Sequence, residues 1–237
     1  SSRICIVEGK GKEGSIEAGF VVSYIFLDDA SVQGVPGARA ILQTSPGRRH
    51  KTNHANPDIE HEFPPIGGGG SGVVKGLARE LVRMGHVVDV VTMGFGDLPR
   101  DEVIEGITVR RVDCGRRSVS KCTAREAFRY VVKARPVVRD LLARNSYDLV
   151  HTHFIFPDGI LAWREVAPRG IPFIITAHGS DVPGYNPKLF FKVVHPLLMI
   201  IWRRVTRTAC EIVSPSETLA RLIESLKPGV PVRVIPN

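Results

Sequence analysis

From residue 61 to residue 237, short β-branched runs alternate with helical patterns, and few folds accept that alternation. Val87-Val88-Asp89-Val90-Val91-Thr92, Ile107 to Val112, Asp148 to His151, Pro172 to Thr176, Glu211 to Ser214 and Val232 to Ile235 read as strands. Helical patterns fill most of the gaps, over 72–84, 123–144, 158–167, 187–207 and 216–226. In the first, Val73, Val74, Leu77, Leu81 and Val82 recur at helical spacing and Gly85 supplies a C-terminal stop. Strands alternating with helices of this length imply a doubly wound, mostly parallel α/β sheet, Rossmann-like and covered on both faces. Such sheets bind ligands at the carboxyl ends of their strands. The loops that matter are then 63–72, 93–99, 152–158 and 177–185.

Segment 8–60 is different. It is rich in glycine, polar residues and turn signals, with one apolar run from Gly19 to Leu27, and Thr44 to Asp58 reads as loop. The best first strand is Arg3-Ile4-Cys5-Ile6-Val7. On this reading, 1–7 and 61–237 form the α/β lobe, and 8–60 is an insertion after its first strand.

The 237 residues can bury a sizeable core, and 43% hydrophobic with 24% charged residues excludes a mainly disordered chain. No run approaches the roughly 18 apolar residues of a membrane span, and the N-terminus lacks the apolar stretch of a signal peptide. The expected compartment is therefore the cytoplasm. Cys5, Cys114, Cys122 and Cys210 match no zinc spacing and read as reduced thiols that mostly fill core. The surplus of 32 Lys+Arg over 24 Asp+Glu favours an anionic partner. Segment 8–60 holds six Lys/Arg against seven Asp/Glu, so the excess belongs to the α/β body.

Three motifs fall in the loops that matter. Gly67-Gly68-Gly69-Gly70-Ser71-Gly72 lets backbone N–H groups approach an anion and feeds a helix N-terminus, where orphan amides favour phosphate. A flexible linker would read the same way. The run contains Gly-x-Gly-x-x-Gly, but Pro64-Pro65 breaks the strand-to-turn context of a dinucleotide fingerprint. Asp89, the acidic residue that an NAD site would need, is not at its strand's tip. His151 and His153 share one face of a strand end with Thr152 opposite, as cleft groups or as satisfied structural histidines. His178-Gly179-Ser180-Asp181 follows the most apolar strand; it can be a site or a turn held by its own polar side chains. No nucleophile elbow and no His-Glu-x-x-His supports a hydrolase or a metal site. The stretch 187–204, with Phe190, Phe191 and Trp202 edged by Lys188, Lys192, Arg203 and Arg204, is either an interfacial helix drawn to anionic lipid or a core helix with a charged edge.

Six pieces in order resemble the retaining glycosyltransferases of the GT-B fold: His61 to Gly72, Leu77 to His86, Asp148 to His153, Thr176 to Asp181, Ile212 to Ser216 and Val234 to Asn237. The resemblance covers 61–237 and implies the acceptor-side lobe of a nucleotide-sugar-dependent enzyme, one that moves a hexose from a UDP- or GDP-sugar to a hydroxyl acceptor with retained configuration. It implies chemistry without a metal or a resident cofactor, the donor being a co-substrate. By the same resemblance, Gly67, Gly68, Gly69, Gly70 and Ser71 face the donor diphosphate, His153 faces the acceptor side, and His178 lies beside the transferred sugar or leaving group, with Asp181 in the same catalytic set. The second lobe, with its Glu-x7-Glu pair, is absent, so the chain is expected to be silent alone. The competing reading is a non-catalytic α/β scaffold that presents 8–60. No feature points to specific nucleic-acid binding.

Overall fold

The computed structural model describes residues 55–185 and 189–237, the side chains of 55–57 and 189–198 excepted. The chain divides into two units, Ser1–Thr52 and Asn53–Asn237, and every described residue lies in the second. That unit carries an eight-stranded sheet. In chain order the strands are β1 (Ala55–Ile59), β2 (Val87–Met93), β3 (Asp101–Ile104), β4 (Ile107–Val112), β5 (Val150–His153), β6 (Phe173–Thr176), β7 (Glu211–Ser214) and β8 (Val232–Val234). Across the sheet the order is β3-β4-β2-β1-β5-β6-β7-β8. Every pairing is parallel except β3 with β4. The doubly wound, Rossmann-like lobe is therefore as expected.

A strand that the sequence reading did not propose precedes the His61 loop. The strand that abuts the His61 loop is Ala55–Ile59, which pairs with β2 on one side and β5 on the other. Among the described residues the sheet thus begins inside the stretch read as insertion and loop, and Arg3–Val7 lies outside the described residues. Strand β3 also went unread. It is an edge strand with alternate residues exposed, folded against β4 through the two-residue turn Glu105-Gly106, both residues at positive φ, 52° and 83°. That pair of angles is the turn type that matches strand twist in a tight hairpin.

Among the described residues five α-helices connect the strands: α1 (Gly69–Arg83), α2 (Ala124–Arg144), α3 (Asp158–Leu161), α4 (Leu189–Thr208) and α5 (Glu217–Ser225). Helix α1 starts three residues before the periodic pattern does, because Gly69, Gly70 and Ser71 occupy its first turn, where amides need no intrahelical partner. Helix α2 opens on a reciprocal capping box, Thr123 with Glu126. Helix α3 passes into one π-helical turn, Ala162–Val166, then a 3₁₀ turn, Ala167–Arg169. The core lies between α2 and α3 and the central strands; Tyr130, fully buried, donates its hydroxyl to the Val91 carbonyl at 2.8 Å. Among the described residues no helix is long and apolar enough to cross a membrane. Cys114 is buried, Cys122 half-buried and Cys210 exposed, so only part of the cysteine set fills core.

Candidate functional site

The sheet changes winding direction between β1 and β5, since β1 leads through α1 to β2 on one side while β5 lies on the other. Ligand crevices of open parallel sheets form beside such a switch, at the carboxyl ends of the strands. The residues leaving those ends here are Glu60, His61 and Glu62 after β1, Phe154 to Asp158 after β5, and His178 to Asp181 after β6.

The glycine loop is fixed by contacts. Gly67 has φ +109°, and a Cβ there would stand 2.6 Å from the Glu62 Cβ, so the backbone conformation and the space both call for glycine. Its N–H donates to the Val119 carbonyl at 2.7 Å. The Gly68 N–H donates to one Glu62 carboxylate oxygen at 3.2 Å, and Arg116 donates to the other at 2.7 Å. Arg116 is buried and also donates to the Ser118 and Val119 carbonyls. The Ser71 hydroxyl donates to the Gly68 carbonyl at 2.7 Å, which makes it a brace of the loop from within. Helix α1 has no side-chain cap at its start and no acidic residue in its first turn, which leaves the positive end of its dipole uncompensated by its own sequence. Around Gly68, Gly69 and Gly72 the space where a Cβ would stand is open. At Gly70 it meets Phe154 at 3.5 Å and the Nδ1 of His178 at 3.6 Å.

The imidazoles form a chain. His151 Nε2 contacts the Thr176 hydroxyl at 2.8 Å, the His151 and His153 rings stack at 4.2 Å, and His153 Nδ1 meets His178 Nε2 at 3.3 Å. Burial depresses all three: His151 to about 3, His153 well below the usual histidine range, and His178 to about 4, with the neighbouring imidazoles or His61 adding repulsion. At neutral pH each ring therefore offers one N–H and one bare nitrogen. Since His178 Nε2 is engaged by His153, its Nδ1 is the nitrogen presented to the glycine loop. Thr152, on the opposite face, donates to the Ile174 carbonyl.

Asp181 spends both carboxylate oxygens on backbone amides. One carboxylate oxygen accepts the Ile155 N–H at 2.7 Å and the other accepts the His178 N–H at 3.0 Å. It ties the β5 and β6 loops together and so positions His178.

An acidic layer lies beneath, and sequence reading missed it. Asp58 and Glu60 are fully buried. Both Asp58 oxygens and one Glu60 oxygen lack a hydrogen-bond partner, while the other Glu60 oxygen accepts the Glu62 N–H at 2.9 Å. His61 Nδ1 lies 2.7 Å from an Asp158 oxygen and packs edge-on against Phe154. Burial raises these acids: Asp58 to about 8, Glu60 well above the carboxylate range, and Asp158 to about 6 with His61 opposing the rise. Two sets, Asp58-His151-His153 and Glu60-His61-Asp158, could each offer three ligand atoms to a cation. Burial favours the protonated form of Asp58 in the first set and of Glu60 in the second, whereas Asp158, raised only to about 6, is paired with His61 at 2.7 Å. The signal that could have found them is the Glu60-His61-Glu62 cluster at a strand end. Asp158 follows Pro157, and nothing in its local pattern marks it.

This geometry defines a class: a Rossmann-like lobe of the GT-B type, with an anion-ready helix N-terminus facing a neutral imidazole at the switch point. The chain belongs to Glycosyltransferase Family 4, whose profile matches residues 67–237. It is 29% identical over 185 residues to an uncharacterized glycosyltransferase of Methanocaldococcus jannaschii, across 76% of this chain and 45% of that protein. It is 28% identical over 152 residues to a D-inositol 3-phosphate glycosyltransferase of Thermobifida fusca, across 60% of this chain and 34% of that one. The chain thus spans less than half the length of these curated relatives. In fold it is similar to sucrose-phosphate synthase of Thermosynechococcus elongatus, with a TM-score of 0.63 at 19% identity over 77% of this chain and 48% of that one.

Proposed function

We propose that this lobe is the acceptor-binding half of a nucleotide-sugar-dependent retaining glycosyltransferase, transferring a hexose to a hydroxyl and inactive without a second lobe. The observation that carries the reading is the approach of His178 Nδ1 to the first turn of α1, 3.6 Å from where a Gly70 Cβ would stand. Charge that grows on a leaving diphosphate is stabilised best by fixed donors that need no reorganisation. The amides of Gly69 and Gly70, in the first turn of α1 where no intrahelical partner is available, supply such donors, and His178, held through its own amide by Asp181, supplies a neutral ring nitrogen beside them. His153, buried behind His178, sets that ring's tautomer and orientation rather than touching substrate. The family match over 67–237 and the glycosyltransferase relatives support the same chemistry.

Calorimetry with UDP- and GDP-sugars tests the reading. A site shared between two lobes should bind weakly here, and Gly70→Val, which fills the space before Phe154 and His178, should abolish that binding. Submicromolar affinity, turnover by this chain alone, or indifference to Gly70→Val would show that the donor site lies elsewhere. Peripheral attachment to an anionic membrane belongs to the same proposal. Of the 187–204 stretch, exposed Arg203 and Arg204 support it, whereas Trp202 is buried in the core.

A further inference from the structure

We infer that the outer face of α2, with the turn that leads into it, is the surface that rests on an anionic lipid bilayer. The inference deepens the membrane attachment proposed above and rests on it, but it is independent of the donor site. Helix α2 already fills its inner face with Ala127, Tyr130, Ala134, Val138 and Leu141. Phe128 and Val132 are therefore surplus to the core, and they stand 65% and 53% exposed. Four residues apart, they form one ridge along the helix, which Pro136 continues. Val119, in the entering turn, adds a third exposed apolar side chain.

The charge around this ridge selects the occupant. Exposed Lys121 and Arg125 and half-buried Arg129 have no ion-pair partner among the described residues, whereas Arg135 and Arg139 farther along are bound to Glu165. The unspent cations thus gather at the helix's N-terminal half. Cations there oppose the helix dipole, so they do not serve the helix. The acid in that turn, Glu126, is buried and spent on the cap. Exposed aromatic and aliphatic side chains ringed by unpaired cations match a surface of anionic headgroups over acyl chains. The same turn supplies the Val119 carbonyl that holds Gly67, so a bilayer under this face would lie next to the glycine loop.

Co-sedimentation of the full chain with vesicles of phosphatidylcholine, with and without one third phosphatidylglycerol, tests this. The chain should bind the anionic vesicles at low salt and be released as salt rises. Phe128→Ser with Val132→Ser should weaken partition about tenfold, given the transfer free energies of exposed apolar side chains at an interface. Lys121→Gln and Arg125→Gln should each weaken it about fivefold at low salt. An unchanged melting temperature establishes that these surface variants remain folded. No binding by the unmodified chain refutes membrane attachment itself. Binding that these variants leave unchanged, but that Arg203→Gln with Arg204→Gln removes, refutes the assignment to α2. Conversion of a dimer to a monomer by Phe128→Ser with Val132→Ser, with vesicle binding intact, shows instead that the ridge joins two copies of the chain.

Discussion

The substitution Asp58→Asn removes one proton site from the buried end of β1 and should change how stability depends on pH. Asp58 is fully buried, both its oxygens lack hydrogen-bond partners among the described residues, and the imidazole of His151, whose Nδ1 is 3.9 Å away, is held neutral by burial. Burial raises its pKa from 3.8 to about 8. Between those values the folded chain keeps a proton that the unfolded chain has lost, so the stability this group contributes at low pH drains away as pH rises. The slope is about 1.4 kcal/mol per pH unit. It flattens as the folded carboxyl itself titrates, which leaves a loss of roughly 2 kcal/mol between pH 6 and pH 8. An asparagine side chain at this position would keep the size and neutrality of the protonated acid without the titration. Urea unfolding of the full chain at pH 6, 7 and 8 measures the difference. The variant's stability should fall roughly 2 kcal/mol less than the parent's over that range, and the variant should be the more stable of the two at pH 8. Parallel curves would mean that Asp58 is ionised in the fold and balanced by a positive charge, which would refute a protonated Asp58 at the end of β1.

Gly67→Ala, which places a Cβ 2.6 Å from Glu62 at φ +109°, should cost about 1–3 kcal/mol in the same urea assay. Gly69→Ala, in open space in the first helical turn, should gain up to about 1 kcal/mol. Equal effects would show that the loop is not held as described. Tyr130→Phe removes one of two donors to the Val91 carbonyl, which keeps the Glu60 N–H at 3.1 Å, and should cost about 0.5–1.5 kcal/mol, read as a lower midpoint with an unchanged slope.

The periodic body of the fold was legible because β2, β6 and β7 are β-branched runs almost wholly buried, as parallel strands demand, and β4 and β5 carry β-branched residues between half-buried or histidine positions. Strand β1 defeated the same logic. Ala-Asn-Pro-Asp-Ile holds one β-branched residue and a proline that cannot donate to the ladder, so by propensity Ile4-Cys5-Ile6-Val7 is the better strand. Pairing with β2 and β5 on both sides overrides propensity there. In the site, the histidines announced themselves by spacing at a strand end and by the Gly-rich turns beside them. The acids did not, because a carboxyl buried without a counter-charge leaves no periodic trace. Asp181 was singled out by its place in His178-Gly179-Ser180-Asp181, but its hold on two backbone amides depends on the approach of the β5 and β6 loops, which no local pattern records.

The central claim, that the first turn of α1 and His178 form the donor-facing edge of this lobe, is tested most directly by NMR of the ¹⁵N-labelled chain titrated with UDP- and GDP-sugars. The account predicts weak, saturable binding, with the largest amide shifts at Gly68 to Ser71 and at His178 and Gly179. Saturable binding whose shifts leave those residues unmoved, or no shift anywhere at millimolar ligand, would contradict it.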